Sequence, residues 1–257
     1  MSARATIGRR VGVDQPLASD TAMVLAAGLG KRMRPLTMAR PKPLVPVAGK
    51  ALIDHALDRL ADAGIARAVV NVHYFAEALE AHLAVRTRRG AGPAIVISDE
   101  RTQLLETGGG MVKAARAGLL PETFFALNSD NIWLDGPRDA LRELSLNWDP
   151  ARMDALLLLV RHTGAHNYHG LGDFRLDPLG RVSRRPSHKV APFIYTGIQI
   201  VSQRLLEGAP DGAFSTNILW NRAIEAGRLY GCVHTGEWCE VGEPSAIAPT
   251  EALLARG

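Results

Sequence analysis

Ala22-Met-Val-Leu-Ala-Ala-Gly-Leu-Gly-Lys-Arg-Met-Arg-Pro-Leu-Thr37 is the stretch that decides the fold. The run Ala22–Leu25 is apolar without alternation, which is what a strand buried on both faces of a parallel sheet requires. It passes directly into a turn holding Gly28 and Gly30 and then into Lys31, Arg32 and Arg34. Glycines just past a strand let the backbone approach an anion closely, and their free N–H groups can cradle phosphate oxygens. Arginine beside them can bind two such oxygens at once. Two familiar phosphate motifs are excluded. The dinucleotide fingerprint needs a third glycine where Met33 stands, and the Walker A loop needs Ser or Thr where Arg32 stands. A glycine-rich surface turn followed by solvated bases remains the plain alternative.

Outward from this stretch, short apolar runs recur at Ala68–Val72, Ala94–Ile97, Phe124–Leu127 and Ala155–Val160. Helical patterns separate them: Leu52, Ile53, Leu57 and Leu60; Phe75, Leu79 and Leu83; Met111 to Ala117; and Leu141 with Leu144. Alternating β and α elements predict an α/β fold, a Rossmann-like three-layer sandwich with a mostly parallel central sheet. Beyond Arg161 the pattern changes to a His/Gly/Asn-rich loop at 162–172. Strands are expected at Asp173–Leu176, Phe193–Val201, Leu229–His234 and Trp238–Val241, with helices over Thr216–Ala226 and from Pro244 or Ser245 to Ala255. Residues 1–20 read as a polar, flexible extension and 21–257 as one domain with an insertion near 161–200. Ligands in open parallel sheets bind at the carboxyl ends of strands. Residues 26–30, Ser98-Asp99-Glu100 and Asn128-Ser129-Asp130 are therefore expected to converge on one site.

The chain has 257 residues, 47% of them hydrophobic and 22% charged, and carries a formal net charge of +4. That composition excludes a mainly disordered or collagen-like chain. The longest apolar runs fall far short of the ~20 residues a bilayer-spanning helix needs. The excess of base is local: residues 21–53 contain Lys31, Arg32, Arg34, Arg40, Lys42 and Lys50 and no acid. A nucleic-acid partner is one reading of a basic protein. A small polyanionic substrate held by this one segment is the better one, and no aromatic interleaving for base stacking accompanies the second basic cluster, Arg181, Arg184, Arg185 and Lys189. Cys232 and Cys239 make neither a disulfide framework nor a zinc motif and read as buried free thiols. No secretory leader is seen, so cytoplasm is the expected compartment. His162, His166 and His169 lack a nearby Cys and read as substrate contacts or solvent-exposed groups. Asp99 and Glu100 read as solvated loop acids.

A second motif follows the first. In Arg40-Pro-Lys-Pro-Leu-Val-Pro-Val-Ala-Gly49, prolines bracket Lys42 and restrict its backbone, so the lysine is held rather than free on a helix face. The two motifs together, in this order and spacing, resemble the signature of the sugar-1-phosphate nucleotidylyltransferases, a family of the nucleotide-diphospho-sugar transferase fold. Leu104-Leu-Glu-Thr-Gly-Gly-Gly110, Leu127-Asn-Ser-Asp130 and Trp238-Cys-Glu-Val-Gly242 fall at the family's later motif positions. The resemblance covers Thr21 to about Leu254. The short length, the Leu-Glu-Thr-Gly-Gly-Gly form and Gly172-Asp-Phe174 are most similar to the branch that makes UDP-N-acetylmuramate from UTP and N-acetylmuramate 1-phosphate in peptidoglycan recycling. Branches acting on mannose 1-phosphate with GTP, or on glucose 1-phosphate with dTTP or UTP, are the alternatives.

The resemblance implies a site. Ala27, Gly28, Gly30, Lys31 and Arg32 belong to the loop that wraps a nucleoside triphosphate, with Arg34 near its β- and γ-phosphates. Lys42 matches the lysine that contacts the reacting phosphates, so Arg34 and Lys42 are the expected catalytic residues. Glu106, Thr107, Gly108 and Asn128 match positions on the nucleotide side, Asp173 and Gly197 positions near the acceptor sugar. Asp130 matches an aspartate that binds Mg²⁺, the one cofactor expected. The partners implied are a nucleoside triphosphate, UTP favoured, and a sugar 1-phosphate, with no nucleic acid or membrane; no oligomeric state follows. One residue departs from the pattern. The family's second Mg²⁺ ligand is usually aspartate, and here Glu240 stands in its place. Glutamate is also a hard oxygen ligand but places its carboxylate one methylene further out. A regulatory module that binds nucleotide-sugar without turnover is what that change would favour over an enzyme.

Overall fold

The computed structural model describes residues 16–256. Most of the proposed 1–20 extension, residues 1–15, lies outside the described residues. In chain order the elements are β1 (Thr21–Leu25), β2 (Pro46–Val47), β3 (Lys50–Ala51), α1 (Leu52–Ala63), β4 (Arg67–Val72), α2 (Ala76–Arg88), β5 (Ala94–Asp99), α3 (Glu106–Arg116), β6 (Thr123–Asn128) and β7 (Asn131–Leu134). They continue with α4 (Ala140–Asn147), β8 (Ala155–Arg161), β9 (Ala165–His166), β10 (Phe174–Leu176), β11 (Val182–Arg184), β12 (Phe193–Ser202), α5 (Asn217–Glu225), β13 (Leu229–Val233), β14 (Glu237–Glu240) and α6 (Ile247–Leu254).

The first apolar run sits where its composition demands. β1 pairs in parallel with β4 on one side and β6 on the other, and β5 adds in parallel beyond β4. Its side chains are buried on both faces. Ala22 and Val24 pack with Ile53, Leu57, Leu60, Leu79, Leu83, Leu141 and Leu144, so α1, α2 and α4 cover that face. Met23 packs with Met111, Val112, Leu219, Trp220 and Ala223, so α3 and α5 cover the other. The three-layer α/β expectation holds. β12 then joins β6 antiparallel, β8 joins β12 antiparallel, and β13 joins β8 in parallel.

Four local expectations are corrected. Ala155–Val160 is buried on both faces but belongs to this mixed half of the sheet, not to the parallel block. β5 is an edge strand, and most of its residues keep some exposure. Phe75 does not join the apolar face of α2: it precedes the helix at φ 50° and stays 37% exposed. The third helix starts at Glu106 rather than Met111, so Gly108, Gly109 and Gly110 are helical despite their poor propensity. Tertiary contact explains it, since a Cβ at Gly108 would lie 2.3 Å from the Phe214 ring and one at Gly109 would lie 2.3 Å from the Gly212 carbonyl oxygen.

A smaller sheet, β7–β14–β9, stands beside the main one. Met33, Val45, Val47, Leu52, Ile132, Cys239 and Val241 form a separate buried cluster under it, backed by Ile247 and Leu253 of α6. This cluster positions the site. It ties the segment after β1, the Lys42 segment and the end of β14 to one point. Among the described residues no helix is long and apolar enough to cross a membrane.

Candidate active site

Two of the three expected strand ends, residues 26–30 and 128–130, converge and form two adjoining clefts, whereas Ser98-Asp99-Glu100 at the end of β5 lines neither. The first, of about 370 Å³, is lined by the end of β1 and the turn after it (Leu25, Ala26, Ala27, Gly28, Gly30), by Asn71, by Leu104, Glu106 and Thr107, and by Asn128, Ser129 and Asp130. The second, of about 270 Å³, is lined by Arg32, by Tyr168 and Asp173, by the bend of β12 around Gly197, and by Trp238, Cys239 and Glu240 at the end of β14. Lys42, Asn128 and Asp130 line both.

Each wall has a local cause. Gly30 sits at φ 59°, a region closed to most side chains, and a Cβ there would lie 2.9 Å from the Lys42 Cβ. Thr37 Oγ1 donates to the Gly30 carbonyl at 2.8 Å, and Met33 N donates to the same oxygen at 3.0 Å. The turn is thus folded back onto the Lys42 segment. Met33, which breaks the dinucleotide fingerprint, is fully buried and anchors the turn in the small-sheet cluster. Lys42 opens a short 3₁₀ turn, Lys42–Leu44, with Pro41 extended before it and Pro43 buried after it. Its Nζ contacts Asp130 Oδ2, and only 14% of the lysine side chain is exposed.

Asp130 is placed by the β6–β7 turn, where Ser129 N donates to the Leu25 carbonyl at 3.0 Å and extends the β1–β6 ladder. Glu240 reaches the same place through register: β14 pairs antiparallel with β7 so that Glu240 stands opposite Asn131. Arg32 Nη1 lies 3.3 Å from Glu240 Oε1 across the second cleft. Each of the two acids therefore faces one cation from the basic segment. Two hard carboxylates lining one cleft fit Mg²⁺, which takes one or two carboxylates and completes its shell with phosphate oxygens and water. Glu240 lines the same cleft as Asp130 despite its extra methylene.

On the second cleft, Asp173 accepts from Tyr195 N at 2.9 Å, so its carboxylate is bound to β12. Gly197 lies at φ 81° in the irregularity that bends β12 between Tyr195 and Gln199. A Cβ on it would meet Asn128 Nδ2 at 2.6 Å and Asn131 Nδ2 at 2.8 Å, so glycine here makes room for both amides. On the first cleft, Thr107 Oγ1 accepts from Thr216 N at 3.0 Å. Glu106 holds φ 57°, a strained value of the kind that clusters at ligand sites.

Other expected residues lie apart. Lys31 and Arg34 are exposed and line neither cleft. Gly108 is buried in α3, its N–H already given to the Phe214 carbonyl at 2.9 Å. His162 Nε2 lies 2.9 Å from the Ala191 carbonyl oxygen, and His166 Nε2 lies 2.6 Å from Glu237 Oε2. Asp99 is an exposed acid paired with Arg101. Glu100 is not a solvated acid: it is fully buried, and burial raises its pKa above the ordinary carboxyl value.

Sequence reasoning missed Asn71, Tyr168 and Asn131. Asn71 is buried on β4, and nothing in its neighbourhood of sequence marks it. Tyr168 lines the second cleft, accepts from Gly172 N at 3.1 Å and lies 6.4 Å, ring to ring, from Trp238; burial, with Asp173 and Glu240 nearby, raises its pKa. Asn131 lines the same cleft with a buried Nδ2 that has no hydrogen-bond partner among the described residues. Its adjacency to Asp130 was the one available signal.

Known proteins carry the same pattern. The family model described as nucleotidyl transferase matches residues 21–256. The chain is 49% identical over 238 residues to an N-acetylmuramate alpha-1-phosphate uridylyltransferase of Caulobacter vibrioides, covering 93% of this chain and 98% of that protein. It is 33% identical over 233 residues to a protein of the same name from Neisseria meningitidis serogroup B, covering 90% and 97%. Among solved structures, the inositol-1-phosphate CTP transferase from T. maritima superposes with a TM-score of 0.71 at 17% identity, covering 93% of this chain and 96% of that one, a likeness of fold.

Proposed function

Because the chain belongs to the nucleotidyl transferase family and is a sugar-1-phosphate nucleotidyltransferase, we propose that it joins UTP to N-acetylmuramate 1-phosphate, releasing pyrophosphate, in the cytoplasm. The observation that carries the reading is the pair of clefts that share Lys42, Asn128 and Asp130. Two substrates seated in adjoining clefts would meet at those three residues. The muramate assignment is supported by the 49% identity across nearly the whole chain.

The nucleophile is a phosphate oxygen that is already ionised at neutral pH, so no strong general base is required. The obstacle is the approach of one anion to another in line with the leaving pyrophosphate. Catalysis then rests on positioning and on neutralising charge as it develops. In this scheme the amides of the turn at Gly28 and Gly30 hold the triphosphate in the first cleft, and the Arg32 guanidinium, which lines the second, takes phosphate oxygens where the two clefts join. Arg34 reaches the departing phosphates by closure of its exposed turn. Asn128 faces both substrates. Glu106 and Thr107 border the nucleotide, and Asp173 and Gly197 shape the acceptor side. Asp130 and Glu240 would hold Mg²⁺, which supplies Lewis acidity and charge neutralisation at the phosphates when bound. Lys42, released from Asp130, stabilises the charge that builds at the α-phosphate.

The test is a matrix of the four nucleoside triphosphates against N-acetylmuramate, mannose and glucose 1-phosphates, read by pyrophosphate release with Mg²⁺. UTP with N-acetylmuramate 1-phosphate should give the highest kcat/KM. If that pair is inactive while another turns over, the substrate assignment is wrong. Binding without turnover for every pair would make the protein a sensor.

A further inference from the structure

Beneath the first cleft lies a polar chain that the scheme above does not use. Asn71, 2% exposed, accepts the Ala26 N–H on its Oδ1 at 2.6 Å. Its Nδ2 donates to Glu100 Oε1 at 2.8 Å. The other oxygen, Oε2, accepts the Leu105 N–H at 3.3 Å. Glu100 has no exposed surface, its own carbonyl oxygen lies 2.8 Å from His73 Nδ1, and Lys113 Nζ contacts the neighbouring Asp99 carbonyl. A Cβ at Gly110 would come within 2.7 Å of Oε1, so the middle glycine-rich motif leaves space for this carboxyl.

The chain joins three segments that are distant in sequence. Ala26 and Asn71 line the first cleft, and so do Leu104 and Glu106, which flank Leu105. The amide and the carboxyl connect those stretches of the lining. A buried carboxyl is costly unless its oxygens are satisfied, and a site that keeps one is using it to fix geometry or charge. Among the described residues no cation forms an ion pair with it. Its oxygens meet one amide NH₂ and one backbone N–H, both donors, so the position calls for a group that only accepts.

We propose that Glu100 and Asn71 are positioning residues that set the distance between the turn after β1 and the wall at residues 104–107, and through it the hold on the nucleoside triphosphate. The inference rests on the functional reading above. Neither side chain lines the acceptor-side cleft, so the effect is confined to the nucleotide.

Polarity reversal tests it. In Glu100→Gln the new amide NH₂ faces a donor, either Asn71 Nδ2 or Leu105 N. In Asn71→Asp two carboxylates face each other. In the double variant every contact is restored with the direction between the two side chains reversed. The new carboxylate at position 71 accepts from Ala26 N and from the amide NH₂ introduced at position 100, whose own oxygen accepts from Leu105 N. UTP binding measured by calorimetry should weaken about tenfold or more in each single variant and return to within about threefold of wild type in the double variant. KM for N-acetylmuramate 1-phosphate should stay within about twofold throughout. Singles that fold and bind UTP as wild type does, or constants for both substrates rising together, would overturn the role. Should a single variant fail to fold, the double variant must still fold and bind UTP, and a double variant that does neither sinks the inference. A wild-type protein that binds no nucleoside triphosphate is a different result, read before any variant is made, and it sinks the functional reading.

Discussion

Lys42 concentrates the chemistry at the scale of a single residue. The bracketing prolines that mark it in the sequence are the features that restrain its backbone in the structure, and its Nζ reaches Asp130, 88 positions away. Since 14% of its side chain is exposed and Asp130 keeps 29%, losing the lysine leaves an acid that water can reach. Lys42→Ala should therefore lower kcat by about 100-fold or more while shifting Tm by less than about 4 °C. Pyrophosphate release and a thermal melt on the same preparation check it, and a well-folded variant at wild-type rate removes Lys42 from the mechanism. Gly28, Gly30 and Lys42 are legible through backbone signatures and Asp130 through its place at a strand end, whereas Gly197 was pointed to only by the family resemblance. Glu100 was misread because its sequence neighbours, Asp99 and Arg101, are exposed and charged. Nothing local says that one acid of a pair turns inward.

At the scale of elements, the segment between β1 and β2 has no α-helix and is built from short 3₁₀ turns. It opens with a three-residue 3₁₀ turn, Lys31–Met33, and of those three only Met33 is buried. The segment is held by the Gly30–Thr37 hydrogen bond and by Met33 in the small-sheet cluster. Met33→Ala should cost about 2–5 kcal/mol in chemical denaturation and raise KM for UTP more than KM for the sugar phosphate. Equal effects on both substrates would mean that the anchor serves the fold as a whole and not the turn. Helical periodicity made α1 readable, and continuous apolar runs made the parallel strands readable. β7 and β9 were missed because two to four residues carry no period, and their pairing partner, β14, lies about a hundred residues from β7. The early start of α3 was hidden by three glycines that only the Phe214 segment and Glu100 explain.

Across the whole molecule the charge arithmetic holds in sign but not in detail. The segment 21–53 carries the positive excess, yet the structure places only Lys42 and Arg32 of its six bases on the clefts, and both face acids. Lys50 is paired with Asp58, well outside the site. Attraction of a triphosphate by the exposed bases still runs through solvent, where charges more than about 8–10 Å apart are largely screened at physiological salt. Raising KCl from about 50 to 500 mM should thus increase KM for UTP several-fold with a smaller change in kcat. A KM indifferent to salt would mean that buried hydrogen bonds, not surface charge, hold the nucleotide.

The chain alone specified the layer architecture, because buried parallel strands and amphipathic helices are written in local composition and period. It also determined the glycine turn and the restrained lysine, because φ restrictions are properties of single residues and their neighbours. The folded structure brings Glu240 and Asp130 to one cleft, since the β7–β14 register sets Glu240 opposite Asn131. It alone placed Tyr168 and Asn131 on the second cleft and turned Glu100 inward beneath the first. Burial and strand register are sums over contacts distant in the chain, and no window of sequence contains them.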